Sequence, residues 1–126
     1  MLVDDPLISD DARGLVADLT VRKQSVATAE SLTAGLLAAT LAGVPGASGV
    51  LRGGLITYTE HTKVGLTGVA GPEPHGGHEV GTVFMGLAGP VDTEVIELKL
   101  TGTRWDIRLS AVRESISRLR ALVAAE

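Results

Sequence analysis

The run Thr28-Ala29-Glu30-Ser31-Leu32-Thr33-Ala34-Gly35 sets hydroxyls beside a carboxylate where a short β-tolerant stretch gives way to an apolar helical one. A strand-to-helix turn of this kind presents hydroxyls near the unpaired N–H groups of a helix start, which suits an anion or a developing oxyanion. The same turn fits a plainer role, in which Ser31 or Thr33 is only the N-cap of the helix. Lysine occurs at 23, 63 and 99, and Lys63 alone falls in the glycine-dense middle of the chain, shortly after Tyr58, the only tyrosine. A lysine left neutral by desolvation can serve as general base to a serine, although lysine more often sits solvated at the surface. The S-x-x-K spacing of β-lactamase-type enzymes is absent, so a Ser–Lys pair has to be assembled by folding. His75-Gly-Gly-His78 has no third ligand close by and predicts no metal site. Thr67-Gly-Val-Ala-Gly-Pro72 lacks the G-K-[ST] ending of a phosphate-binding loop. Arg104 opens the last helix against its dipole, an arrangement that a bound anion would explain.

These residues need elements to position them. Between Ser9 and Lys23, Leu15, Val16 and Leu19 share a face, with Asp10 and Asp11 in front and Arg22 and Lys23 behind, which predicts a helix. Ser25 to Ala29 predicts a strand that turns tightly into a helix over the run LTAGLLAATLAG. GVPGASG at 43 to 49 reads as a loop, Val50 to Tyr58 as a strand interrupted by a glycine pair, and Glu60 to Leu66 as one helical turn. The text TGVAGPEPHGG is too rich in Gly and Pro for regular structure, and Gly81 to Ala88 with Thr93 to Leu100 predicts a hairpin. The last helix carries an apolar stripe of Trp105, Leu109, Val112, Ile116, Leu119 and Val123, started by Thr103 and Asp106 as a capping box. That order predicts an α/β domain with helices covering a sheet, a single domain over residues 1–126.

At 126 residues and 44% hydrophobic content, the chain can bury one core, and with only Tyr58, Phe84 and Trp105 as aromatics that core must be aliphatic. Few rings and a net charge of −4 argue against nucleic acid or an anionic membrane as partner. With no cysteine, disulfides, thiolate metal sites and a cysteine nucleophile are excluded. The acidic start MLVDDPLISDD predicts no secretory signal, and no run is long enough for a membrane span, so a cytoplasmic location is expected.

The blocks TAES-L-TAG at 28 to 35, GVPGAS at 43 to 48, GGLITYTEHTK at 53 to 63, TGVAGP at 67 to 72, VGTVFMGLAG at 80 to 89 and G-T-R at 102 to 104 occur in one order. In that order they resemble the C-terminal domain family of competence-damage-inducible protein CinA, whose stand-alone members are PncC-type nicotinamide mononucleotide amidases. The resemblance implies a three-layer α/β/α sandwich with a mixed sheet. It also implies hydrolysis of nicotinamide mononucleotide to nicotinic acid mononucleotide and ammonia, in pyridine nucleotide salvage, with no metal and no cofactor. By motif, Ser31 would be the nucleophile and Lys63 its general base, with Tyr58 and Ser48 completing the hydrogen-bond network. Glu30, Thr33, Gly35 and Thr67 would shape the pocket, and Arg104 would bind or polarise the substrate. A small-molecule nucleotide is the implied partner, and a homo-oligomer, dimer or larger, the implied assembly. The sequence departs from the family pattern with Ala34 where Gly is frequent and Thr103 where Asp usually precedes the Arg. The larger departure is at Leu66-Thr67, where family members carry a further helix and strand. A catalytically silent nucleotide-binding or interaction module is the alternative function.

Overall fold

A computed structural model of the chain describes residues 10–59 and 80–125. Helix α1, Asp10–Arg22, has Asp10 and Asp11 in the first turn and Arg22 in the last, and buries Ala12, Leu15, Val16 and Leu19. It ends where Lys23 turns left-handed, with φ 55, and the Gln24 N–H reaches back to the Leu19 carbonyl at 3.0 Å. Strand β1 spans Val26–Glu30. Helix α2, Leu36–Ala42, starts later than the expected run from Leu32, because Ala34 and Gly35 both take left-handed conformations, φ 49 and φ 93, which no right-handed helix can contain. A 3₁₀ turn at Ala47–Gly49 leads into β2, Leu51–Ile56. The hairpin strands are β3, Thr82–Ala88, and β4, Thr93–Lys99, and the chain continues into α3, Arg104–Ala124.

β1 and β2 pair in parallel, with Ala27 opposite Gly53 and Glu30 opposite Ile56. The register slips between Val26 and Ala27, so that Arg52 is the extra residue of a bulge and Gly53 takes φ 145. Beyond the slip, Thr28, Glu30, Gly54 and Ile56 share the face toward α2, while Ala27, Ala29 and Leu55 face the other way. The glycine pair inside this strand therefore has two reasons. Gly53 supplies the bulge conformation, and a Cβ on Gly54 would stand 2.4 Å from Thr28 Oγ1.

β3 and β4 pair antiparallel as expected, with Met85 opposite Ile96. Met85, Leu87 and Leu98 form a small core against Leu119 and Leu122 of α3. The main core joins Leu15 and Leu19 of α1, Leu41 of α2 and Val112 and Ile116 of α3 over the inner face of β1 and β2. It is aliphatic, and the three aromatic rings are all about half exposed, at 48% for Tyr58, 54% for Phe84 and 49% for Trp105. This exposure corrects the expected stripe on α3, where Ile107 and Ala111 are buried and Trp105 is not. In the first turn of α3 the indole lies instead under the Arg108 guanidinium, 5.4 Å from Cζ to ring centroid.

α1 and α3 are also tied by charge. Arg120 lies across Gly14, where a Cβ would be 2.3 Å from its Cζ, and reaches Asp11 at 2.9 Å and Asp18 at 3.8 Å. The fold is α/β, with parallel and antiparallel pairing both present. Among the described residues the helices cover one face of the strands, so two of the three expected layers are seen. β1 pairs with β2 and β3 with β4, and a cleft of about 1010 Å³ runs between β1 and β3.

Candidate functional site

The Glu30–Gly35 turn stands at the carboxyl end of β1, and Glu30, Ser31, Leu32 and Thr33 line the cleft. Ligands of open α/β sheets gather at this end of the strands. Glu30 is 3% exposed, and its carboxylate organises the turn by accepting four hydrogen bonds. Leu37 N–H donates to Oε1 at 2.8 Å and Ala38 N–H to Oε2 at 3.1 Å, while the hydroxyls of Thr33 and Thr28 donate at 2.7 and 3.2 Å. The buried anion thus sits at the positive end of α2 and satisfies amides that a helix start leaves open.

This arrangement changes both sequence readings of the turn. The N-cap of α2 is Gly35, with no side-chain cap, so neither Ser31 nor Thr33 caps the helix. The Leu37 and Ala38 amides at the helix start are occupied by Glu30, so they are not open to an external anion. The turn closes with Ala34 N–H donating to Ser31 O at 3.0 Å and Leu36 N–H to Thr33 O at 2.9 Å. Ser31 is partly exposed at the cleft, and among the described residues its hydroxyl has no hydrogen-bond partner. Gly35 answers a second need besides its φ, since a Cβ there would meet Ile56 Cδ1 at 2.9 Å.

The structure brings together two further expected residues. Arg104, exposed in the first turn of α3, donates from Nη2 to the Tyr58 hydroxyl, which lies just past the end of β2. Ser48 lies exposed on the 3₁₀ turn before β2, at the end of the strand pair where Val26 meets Leu51, and so stands away from the Ser31 turn at the other end of β1 rather than in the expected network. Lys63 and Thr67, together with His75 and His78, lie outside the described residues. One residue was missed at the sequence level. Arg108 donates from Nε to Leu32 O at 3.1 Å and from Nη2 to Thr33 O at 3.2 Å, and so binds the turn to α3. Its signal was available, because Arg108 follows Arg104 by one helical turn and shares its face.

No helix among the described residues is long and apolar enough to cross a membrane. A competence-damage inducible protein of Streptococcus pneumoniae is 33% identical over 151 residues, a match that takes in 89% of this chain and 36% of the relative. A CinA-like protein of Frankia casuarinae is 33% identical over 154 residues, covering 91% of this chain and 36% of its own length. The chain thus spans about a third of the length of these curated relatives. Because 89% of 126 residues is about 112, at least about 39 of the 151 aligned positions in the streptococcal match have no counterpart in this chain.

Solved structures agree on the fold. A competence or damage-inducible protein from Enterobacter asburiae superposes with a TM-score of 0.84 at 21% identity, covering 90% of this chain and 96% of the other. A competence/damage inducible protein from Agrobacterium tumefaciens gives 0.82 at 26% identity, covering 97% and 99%. The family model described as CinA C-terminal domain matches twice, over residues 10–66 and 61–123. Matched over nearly all of its described length, the chain belongs to the CinA C-terminal domain family.

Proposed function

We propose that the chain is an amidohydrolase that converts nicotinamide mononucleotide to nicotinic acid mononucleotide and ammonia. The observation that carries this reading is the position of Ser31, on a tight turn at the end of β1, at the cleft, with a hydroxyl that has no partner among the described residues. Membership of the CinA family supports it.

In this reading Ser31 Oγ attacks the carboxamide carbon while its proton passes to Lys63 Nζ. The carbonyl π pair moves onto oxygen, then returns as the C–N bond breaks, and the leaving nitrogen takes the proton from Lys63 to depart as ammonia. Water then attacks the Ser31 ester, giving its proton to Lys63, and the acid product leaves with Ser31 restored. Tyr58 completes the network around this pair, and Glu30, Thr33, Gly35 and Thr67 shape the pocket. Arg104 meets the anionic nucleotide, and its pairing with Tyr58 holds it on the side of the molecule where β2 ends. No cofactor takes part.

The test is ammonia release from nicotinamide mononucleotide by the purified chain beside Ser31→Ala. Release that falls roughly a thousandfold or more in the variant is the expected result, and release that persists would remove Ser31 from the chemistry. The absence of at least about 39 aligned positions favours a second reading, a nucleotide-binding module without turnover. Saturable binding of the mononucleotide with no ammonia from the wild-type chain would select it.

A further inference from the structure

The two hydrogen bonds from Arg108 fall on consecutive carbonyls of the turn that carries Ser31. A guanidinium offers planar, forked donors, so one side chain can hold two peptide groups at a fixed spacing. The fork is itself held from behind, since its Cζ lies 5.4 Å from the Trp105 ring centroid, three residues earlier on the same helix.

The consequence follows from peptide geometry. No described peptide bond is cis, and in a planar trans peptide the N–H points opposite to the C=O. Drawing the Leu32 carbonyl toward α3 therefore turns the Thr33 N–H away from α3. Drawing the Thr33 carbonyl the same way turns the Ala34 N–H, which is found on the Ser31 carbonyl at 3.0 Å. The Thr33 N–H has no acceptor among the described residues, and it sits two residues past the Ser31 hydroxyl, on the cleft-lining turn. Hydrogen-bond donors fixed beside a nucleophile before reaction begins are what stabilises the oxyanion of acyl transfer.

We infer that Arg108 is a positioning residue of the acyl-transfer site, which by clamping Leu32 O and Thr33 O holds the Thr33 N–H as a donor to the oxyanion formed when Ser31 attacks. The inference rests on the amidase reading of Ser31. It assigns Arg108 no contact with substrate. An arginine that bound the substrate's phosphate would govern affinity, whereas one that aims a backbone donor governs the rate of the chemical step.

The experiment compares wild type, Arg108→Lys, Arg108→Met and the control Arg118→Met, whose guanidinium pairs with Glu114 one turn earlier on α3. Ammonia release from nicotinamide mononucleotide is followed to give kcat and KM separately across pH, with thermal melts of each protein. Arg108→Lys keeps the charge and loses the planar fork, so kcat is expected to fall roughly 10- to 100-fold. KM should stay within about threefold, and the pH profile should keep its midpoints because Arg108 is not the proton acceptor. Arg108→Met should lose at least as much, and Arg118→Met should match wild type. A rise in KM with kcat intact would overturn the inference in favour of direct substrate binding. So would a wild-type kcat in Arg108→Lys, or a kcat loss matched by a collapse of the melt. A wild type that releases no ammonia would instead overturn the amidase reading, and the oxyanion role with it.

Discussion

At the residue scale, Glu30 is the group on which the turn depends. Its two carboxylate oxygens accept from two amides and two hydroxyls in a site that is 3% exposed, so each of those four donors depends on Glu30 for its acceptor. Glu30→Gln keeps the shape but replaces one acceptor oxygen with an amide group that must face donors. Hydrogen bonds to a charged acceptor are worth about 1.5–3 kcal/mol each when buried, so a loss of about 2–3 kcal/mol is expected. A urea midpoint for Glu30→Gln equal to that of wild type would show that the carboxylate does not organise the turn. Glu30 was legible in the sequence only as part of the TAES block. Its capping role was not legible, because its amide partners are Leu37 and Ala38, well beyond the three-residue reach by which a capping box is recognised. Ser31 was legible as a hydroxyl at a strand end, but setting aside its role as a cap needed the left-handed pair Ala34 and Gly35, which moves the helix start away from it.

At the scale of elements, the parts governed by neighbours in sequence were readable and the parts governed by contacts across the fold were not. The hairpin formed as its alternation implied, and α3 begins with the capping box that Thr103 and Asp106 foretold: Thr103 N–H donates to Asp106 Oδ2 at 2.8 Å and Asp106 N–H to Thr103 Oγ1 at 3.1 Å. The bulge in β2 depends on pairing with β1, which lies elsewhere in the chain. The capping box has a consequence for acid stability. Hydrogen bonds from the Thr103 backbone and side chain hold the Asp106 carboxyl below the ordinary aspartate value. A folded-state value that is depressed stabilises the fold above the unfolded value, near pH 4, and the stabilisation is lost as the pH falls through the folded value. Melts of wild type and Asp106→Asn from pH 7 to pH 3 should therefore differ most at neutral pH and converge below about pH 4. A gap that stays constant over that range would take the carboxylate out of the cap.

At the scale of the whole molecule, the two ladders of strands decide how the protein behaves with others. Among the described residues β1 pairs on one side with β2 and β3 on one side with β4, and the cleft of about 1010 Å³ separates their other edges. The face turned from the helices carries Ala27, Ala29 and Leu55 on one ladder, and Phe84, Gly86 and Val95 beside the Glu97–Lys99 ion pair on the other, with Leu55 45% and Val95 70% exposed. Strand edges and small apolar faces of this kind favour association, and natural proteins that remain monomeric place charge upon them. The aligned relatives carry at least about 39 positions more than this chain. A chain without those positions has the greater reason to cover its sheet with another copy. We therefore expect a dimer or larger in sedimentation velocity at micromolar concentration, and a shift toward the 13.0 kDa monomer when Val95→Lys puts a charge on the outward face of β4. A wild-type chain that sediments as a monomer would overturn the expectation. An oligomer indifferent to Val95→Lys would move its interface to another surface of the molecule.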